Sequence, residues 1–119
     1  MANLYNEPMD LLSEKAKDIT RAISSIKEEL EAVDWYNQRA DVTSDPTLQK
    51  ILEHNRNEEM EHAIMLLEWL RRNMDGWDNE MKTYFFTNTN ITELEDAMEV
   101  PAEEEIVSKG SSLNIGSMK

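Results

Sequence analysis

Three observations predict an all-α fold organised as an antiparallel two-helix hairpin with a short third helix. Two long stretches carry apolar residues at alternating steps of four and three, the spacing that lines one face of a helix. Only the short segment Asp41-Val42-Thr43-Ser44-Asp45 separates them, and a connection of about five residues between two long helices forces them to run antiparallel. Asp45-Pro46 then restarts the helical pattern, with Asp as N-cap and Pro at the first helical position.

Helix one is expected to begin near Pro8, since proline is tolerated in a first turn where its missing N–H would have had no partner. Its apolar stripe is Leu12, Ala16, Ile19, Ile23, Ile26, Leu30 and Val33, without an internal Gly or Pro. That makes a helix of about 30 residues, roughly 45–50 Å long. Helix two should run from Pro46 to about Arg72 and stop at Asn73-Met74-Asp75-Gly76, where Gly76 can take the left-handed conformation that closes many helices. Trp77, Met81, Tyr84 and Phe85 share a face of a third, shorter helix ending near Thr87. Beyond Asn88-Thr89-Asn90, Thr92-Glu93-Leu94-Glu95 has the form of a capping box for a helical stub, and Glu99 to Glu105 is a solvated acidic run. The expected organisation is an arm over residues 1–7, a helical domain over 8–94, an acidic flexible linker over 95–111 and a terminal peptide over 112–119.

At 119 residues the chain is one domain at most, and its hydrophobic fraction of 39% suits helices that expose charged faces or share a core between subunits. Without cysteine, any metal must rest on Glu, Asp and His, a donor set that suits iron or manganese. A formal charge of −13 argues against nucleic acid and against an anionic membrane, and makes a cation the natural ligand, although acidity also simply keeps small proteins soluble. No apolar run approaches the roughly 20 residues needed to span a bilayer, and the N-terminus lacks the features of a signal peptide, so a cytoplasmic protein is expected.

The chemistry concentrates at Glu58-Glu59-Met60-Glu61-His62. Glu59 and His62, three residues apart, lie over one patch of a helix and belong to the stripe Leu48, Leu52, Asn55, Glu59, His62, Leu66, Trp69. Bringing an ionised carboxylate towards an apolar face is costly unless it is paired or bound to a cation. Glu29 interrupts a matching stripe on helix one, Ala22, Ile26, Glu29, Val33, Tyr36, and the hairpin brings it across to Glu59 and His62. In a helix this rich in Glu, a Glu-x-x-His arises readily by chance. The His54 with Glu58 and Arg39 with Glu28 combinations lie away from apolar positions and do not mark sites.

Two carboxylates and one imidazole are too few for a di-iron centre. Di-iron carboxylate bundles take a lone Glu from each of two helices and a Glu-x-x-His from each of two others. This chain carries half of that set, and a two-fold dimer, the commonest oligomer, would complete it. By that logic the sequence looks like half a ferritin. Beside Glu29, the residues Glu28, Glu31 and Asp34 form a second acidic patch next to Trp35. That patch either holds metal transiently or is an ordinary exposed face. At the C-terminus, Leu113, Ile115 and Met118 alternate with small residues after the acidic run, a pattern that suits a peptide docking extended in a groove and also suits a plain disordered end.

The run Glu28-Glu29-Leu30-Glu31-Ala32-Val33-Asp34-Trp35-Tyr36-Asn37-Gln38-Arg39, then Asp45-Pro46, His54 to Ala63 and Leu67 to Asn73, closely resembles the encapsulated ferritins. The similarity continues into Trp77 and Tyr84-Phe85. The resemblance implies a subunit that dimerises into a ferritin-like four-helix bundle with a ferroxidase site at its interface, and dimers that assemble into an annular decamer. It implies that Glu29, Glu59 and His62 are iron ligands, that Tyr36 lies near the centre, and that Glu28, Glu31 and Trp35 form the region where metal enters, with Trp35 not itself a ligand. Calcium is a candidate for secondary acidic sites. The resemblance further implies oxidation of Fe(II) by dioxygen for mineral storage inside an encapsulin nanocompartment of a bacterium or archaeon. Leu113 to Lys119 resembles the family's targeting peptide, with Met118 where Leu is more usual. Two other readings stand beside this one: a non-catalytic helical cargo or adaptor protein, and another di-metal bundle such as a manganese catalase or peroxidase.

Overall fold

A computed structural model describes residues 4–99, so the expected terminal peptide 112–119 and most of the acidic linker lie outside the described residues. Four α-helices follow one another: α1 (Glu14–Val42), α2 (Pro46–Asn73), α3 (Trp77–Tyr84) and α4 (Ile91–Glu99). Among the described residues every regular element is helical, and no helix is long and apolar enough to cross a membrane. The all-α expectation and the long hairpin hold.

Their boundaries differ in instructive places. Pro8 opens not α1 but a single 3-10 turn, Met9–Leu11, and α1 starts five residues after that proline's turn begins its course, behind Ser13. The Ser13 hydroxyl accepts a hydrogen bond from the Ala16 amide at 3.0 Å, which satisfies one of the orphan donors of the first turn. α2 begins as expected: the Asp45 carboxylate accepts from the Thr47 and Leu48 amides at 2.9 and 3.2 Å, with Pro46 fitted just inside. At the other end Glu68 accepts from Arg71 and Arg72, whose guanidinium groups pull its pKa down to about 2. Basic side chains there also suit the negative end of the helix dipole. Gly76, at φ +107°, makes the turn out of α2. α3 ends at Tyr84, before Thr87, and Phe86 takes a left-handed backbone at φ 59°. α4 is capped by Asn90, whose side chain accepts from the Thr92 amide, where the capping-box pattern had pointed to Thr92 itself.

The described residues divide into two compact units, one up to Trp77 and one from Asp78. In the first, α1 and α2 pack along their lengths through Ala22, Ala40, Ala63 and Leu70, the buried apolar residues among those described. Three of the four are alanines, which let the helices approach closely. The register is set by ties at intervals along the pair. Lys15 donates to Asn73 at the open end, Arg56 to Asn37 further along, and the Gln49 amide to the Ala40 carbonyl beside the connecting loop. Each step forward on α1 is matched by a step back on α2, so Glu29, near the middle of α1, falls opposite Glu59 and His62, near the middle of α2.

Two helices cannot cover one another's full circumference. Leu30, Ile51, Ile64 and Met65 are each more than half exposed, alongside Trp35, Leu48 and Met60. Such apolar surface on a hairpin is what a further helical layer would cover.

The cap at Asp45 fixes where α2 starts and hence the register that aligns the middle of the hairpin. Asp45→Ala is expected to lower stability by about 1 kcal/mol, with Asp45→Asn or Asp45→Ser largely retaining it. Urea melts of the three variants, compared at equal concentration, measure this; an Ala variant as stable as the parent would show that the two cap bonds contribute nothing.

Candidate metal centre

Glu59 and His62 sit one turn apart on α2, and Glu29 reaches them from α1. The His62 Nδ1 lies 3.2 Å from the Glu59 Oε1 and 3.4 Å from the Glu29 Oε1. One donor atom from each residue falls within 4.8 Å of the others. Among the described residues this is the single cluster of His, Asp and Glu with such spacing. Donors held at about 2.0–2.2 Å from a common cation stand roughly 3–3.5 Å apart in tetrahedral or octahedral geometry. The arrangement therefore fits a cation with little rearrangement, and two carboxylate oxygens with one imidazole nitrogen suit iron, manganese or zinc.

All three side chains are partly shielded, the carboxylates at about a quarter exposure (26% and 24%) and the imidazole at 42%. Their crowding shifts the titration of all three. The hydrogen bond between the two carboxyls is the main influence on both, holding Glu29 above and Glu59 below the ordinary value of 4.5. Partial burial and the negative charge of Glu59 push Glu29 further up, against the pull of His62. Partial burial is the largest single influence on His62 and lowers it, but the hydrogen bonds and charges of Glu59 and Glu29 together leave the imidazole raised above 6.5. Glu29 and His62 thus favour their protonated forms more than the free side chains do, in the space where a divalent cation would put its charge.

The other residues singled out in the sequence do not join this cluster. Glu28 and Glu31 are exposed on α1, and Trp35 is about half exposed. Tyr36 is half-buried, seven residues beyond Glu29 and so about 10 Å along the helix. The Arg39 guanidinium lies over its ring at 5.4 Å and over Trp35 at 6.0 Å. His54 and Glu58 form an exposed pair at 4.0 Å, away from the cluster.

Two features escaped the sequence reading. One is the stacking of Arg39 on Tyr36, for which the three-residue spacing was the available signal. The other is a groove of about 350 Å³ lined by Asp18, Arg21, Ala22, Ser25, Leu66 and Trp69. Its signal was the pair of small residues Ala22 and Ser25 on the face that carries Glu29.

With the geometry in view, the comparisons with known proteins are specific. The EncFtn-like family model matches residues 4–88. The chain is 60% identical over 96 residues to a "Ferritin-like protein" of Thermotoga maritima, covering 81% of this chain and 84% of that one. It is 53% identical over 96 residues to an "Encapsulated ferritin-like protein" of Rhodospirillum rubrum, covering 81% and 69%. The crystal structure of protein ne0167 from Nitrosomonas europaea superposes with a TM-score of 0.70 at 55% identity, covering 73% of this chain and 96% of that one. A match over most of the hairpin by all three routes has one meaning: the chain belongs to the EncFtn-like family.

Proposed function

We propose that this protein is a ferroxidase whose di-iron site is completed across a two-fold dimer, and that it works inside an encapsulin shell. The observation that carries the reading is the gathering of Glu29, Glu59 and His62 within 4.8 Å on an otherwise largely apolar hairpin face. One chain supplies half the ligand set of a di-iron carboxylate bundle, and a second copy would supply the rest. Fe(II) is the substrate: two ions held in the shared site would each give one electron to dioxygen. Anionic oxygen donors stabilise the harder, more highly charged Fe(III) more than Fe(II), so Glu29 and Glu59 favour oxidation, with Glu59 our choice for the ligand shared between the ions. His62 completes the sphere, and Tyr36, outside the three-residue cluster of its own chain, is proposed to lie near the shared centre. Glu28 and Glu31, exposed beside Trp35, are proposed to collect cations on their way in. The name of the Rhodospirillum rubrum relative, an encapsulated ferritin-like protein, supports the shell as partner. An annular decamer is the assembly proposed by the same resemblance.

The site assignment is tested by adding Fe(II) anaerobically, admitting air and following Fe(III) absorbance. Glu59→Ala should abolish oxidation above background, because one substitution removes a ligand from both halves of the site; Glu29→Ala and His62→Ala should each reduce it severely, and Glu31→Ala should slow uptake while leaving the centre intact. Wild-type rates in all three ligand variants would remove these residues from the chemistry. Turnover of peroxide much faster than dioxygen would instead favour a peroxidase-type bundle.

Assembly should follow the metal and the pH. Without cations a dimer would place four carboxylates together in a partly dry interface, whereas a cation bound only by the dimer draws the equilibrium towards it. Native mass spectrometry of chelator-treated protein is expected to show mainly monomer, with dimer and larger species on adding Fe(II). The raised Glu29 and His62 contribute stability to the metal-free protein that is present at low pH and lost as pH rises through their folded values; Glu59, depressed, contributes above its ordinary value and loses that as pH falls. Metal competes with protons for Glu29 and His62, whose pKa values are raised, so its binding strengthens as pH rises. The increase in Tm on adding metal should be larger at about pH 7.5 than at about pH 5.5. Equal increases at both would show that protons and metal do not compete there.

The C-terminal peptide is tested apart from the chemistry. Deleting residues 112–119 should leave oxidation and assembly unchanged and abolish co-purification with the shell protein. A truncated protein that is still encapsulated would assign the docking to another surface.

A further inference from the structure

Near the end of α1 a guanidinium with no carboxylate partner lies over two oxidisable rings. We propose that Arg39 protects Trp35 and Tyr36 from one-electron oxidation while Fe(II) is oxidised beside them. This rests on the ferroxidase reading, which supplies the oxidant. It adds a guard for the rings on the path of iron, Trp35 in the proposed entry region and Tyr36 proposed near the shared centre.

Arg39 follows Tyr36 by three residues and Trp35 by four, the two spacings at which side chains on a helix meet. Its guanidinium stands 5.4 Å from the centre of the phenol ring and 6.0 Å from that of the indole. Arg21, Arg71 and Arg72 each hold a carboxylate, at 2.7, 2.8 and 2.7 Å. Among the described residues Arg39 has no such partner. The carboxylate of Asp34, on the same stretch of α1, accepts instead from the Gln38 amide at 3.1 Å. A guanidinium neutralised by a carboxylate would present the rings with little net charge, whereas this one presents its full charge. The negative end of α1 accounts for a base in the last turn, and does not call for rings beneath it.

A neutral ring attracts a cation through the negative face of its π-system. Once an electron is removed the ring is itself positive, and the same contact becomes repulsive. The ring is therefore harder to oxidise. Two Fe(II) ions that give dioxygen two electrons leave, with two protons, hydrogen peroxide, which is still two electrons short of water. Peroxide can take one electron from a further Fe(II) and one, with its proton, from an aromatic side chain. One more proton from solvent then completes two waters, Fe(III) and a neutral ring radical. Arg39 opposes the loss of the electron from the ring. Shape does not protect the indole, because a hollow of about 310 Å³ opens between Trp35, Gln38 and Arg39, roomy enough for dioxygen or peroxide, and Trp35 is 48% exposed.

Trp69 supplies the comparison within the same chain. It lies seven residues beyond His62 on α2, about 10 Å along the helix, the same separation that Tyr36 has from Glu29 on α1. It is half-buried, and among the described residues no cation lies over its ring. Exposure alone would make Trp35 the more readily oxidised indole. The charge of Arg39 acts in the opposite sense.

Peptide mass spectrometry reads the effect site by site, as oxygen added to each aromatic side chain. Full-length metal-free protein would be exposed to a low dose of photo-excited riboflavin, a neutral one-electron oxidant whose approach is not steered by charge. A second sample would be given Fe(II) and air. In the wild type, Trp35 should gain no more oxygen than Trp69. Arg39→Gln and Arg39→Leu should each raise oxidation of Trp35 and Tyr36 several-fold relative to Trp69 and Trp77 under both treatments. Arg39→Lys, which keeps the cation, should stay near the wild type. A role confined to helix stability would instead lower Tm and raise oxidation at all four sites together, and overturns the proposal. Unchanged ratios in both charge-free variants overturn it as well. If Fe(II) and air yield no Fe(III) in the wild type, the ferroxidase reading fails and the protection with it, even where riboflavin shows the shift; normal Fe(III) formation with unchanged ratios means that the guard alone has failed.

Discussion

The closeness of Glu29 to Glu59 is the constraint on which the rest of this structure turns. Two carboxylates crowded together, with an imidazole 3.2 and 3.4 Å from them, are an unfavourable arrangement for a site with no further purpose. The hairpin nevertheless enforces it. α1 and α2 are locked in register by alanines at their contact and by the Lys15, Arg56 and Gln49 ties, none of which touches the cluster. The scaffold therefore holds the three donors together without help from a cation, and the crowding is felt as raised pKa values of Glu29 and His62.

That pre-positioning also explains a modest core. A long hairpin held by Ala22, Ala40, Ala63 and Leu70 buries little for its length, while Leu30, Ile51, Ile64 and Met65 stay more than half exposed. A monomer selected for stability alone would fold more of this surface inward. Surface left open on both sides of the cluster is consistent with a subunit whose core is finished by another chain, which is also what its half set of ligands calls for.

Much of this was legible because helical periodicity carries position as well as type. Glu29, Glu59 and His62 could be placed opposite one another from stripes and a short loop, since an antiparallel hairpin leaves little freedom in register once Asp45-Pro46 fixes the start of α2. What was not legible depended on competition between local choices. Ser13 beats Pro8 as the start of α1 because a hydroxyl that accepts an amide hydrogen bond stabilises a helix, whereas proline merely tolerates one, and here turns the chain into a 3-10 turn. Asn90 outcompetes Thr92 in the same way, placing its acceptor two residues earlier. The stacking of Arg39 on Tyr36 and the groove at Ala22 and Ser25 depend on rotamers and on absent volume, and absent volume leaves only a faint mark in a sequence.

Splitting a site between identical subunits has a consequence that neither half shows alone. On the shared-site reading, every ligand residue is used twice, so one register controls both halves and a slip of α2 by one residue would rotate Glu59 and His62 away from Glu29 in each copy at once. Chemistry then requires correct folding of the hairpin and correct pairing of two hairpins, while a single chain offers only three donors, enough to hold a cation but too few for a pair. A dimer held by metal alone would release its halves whenever the cation was lost.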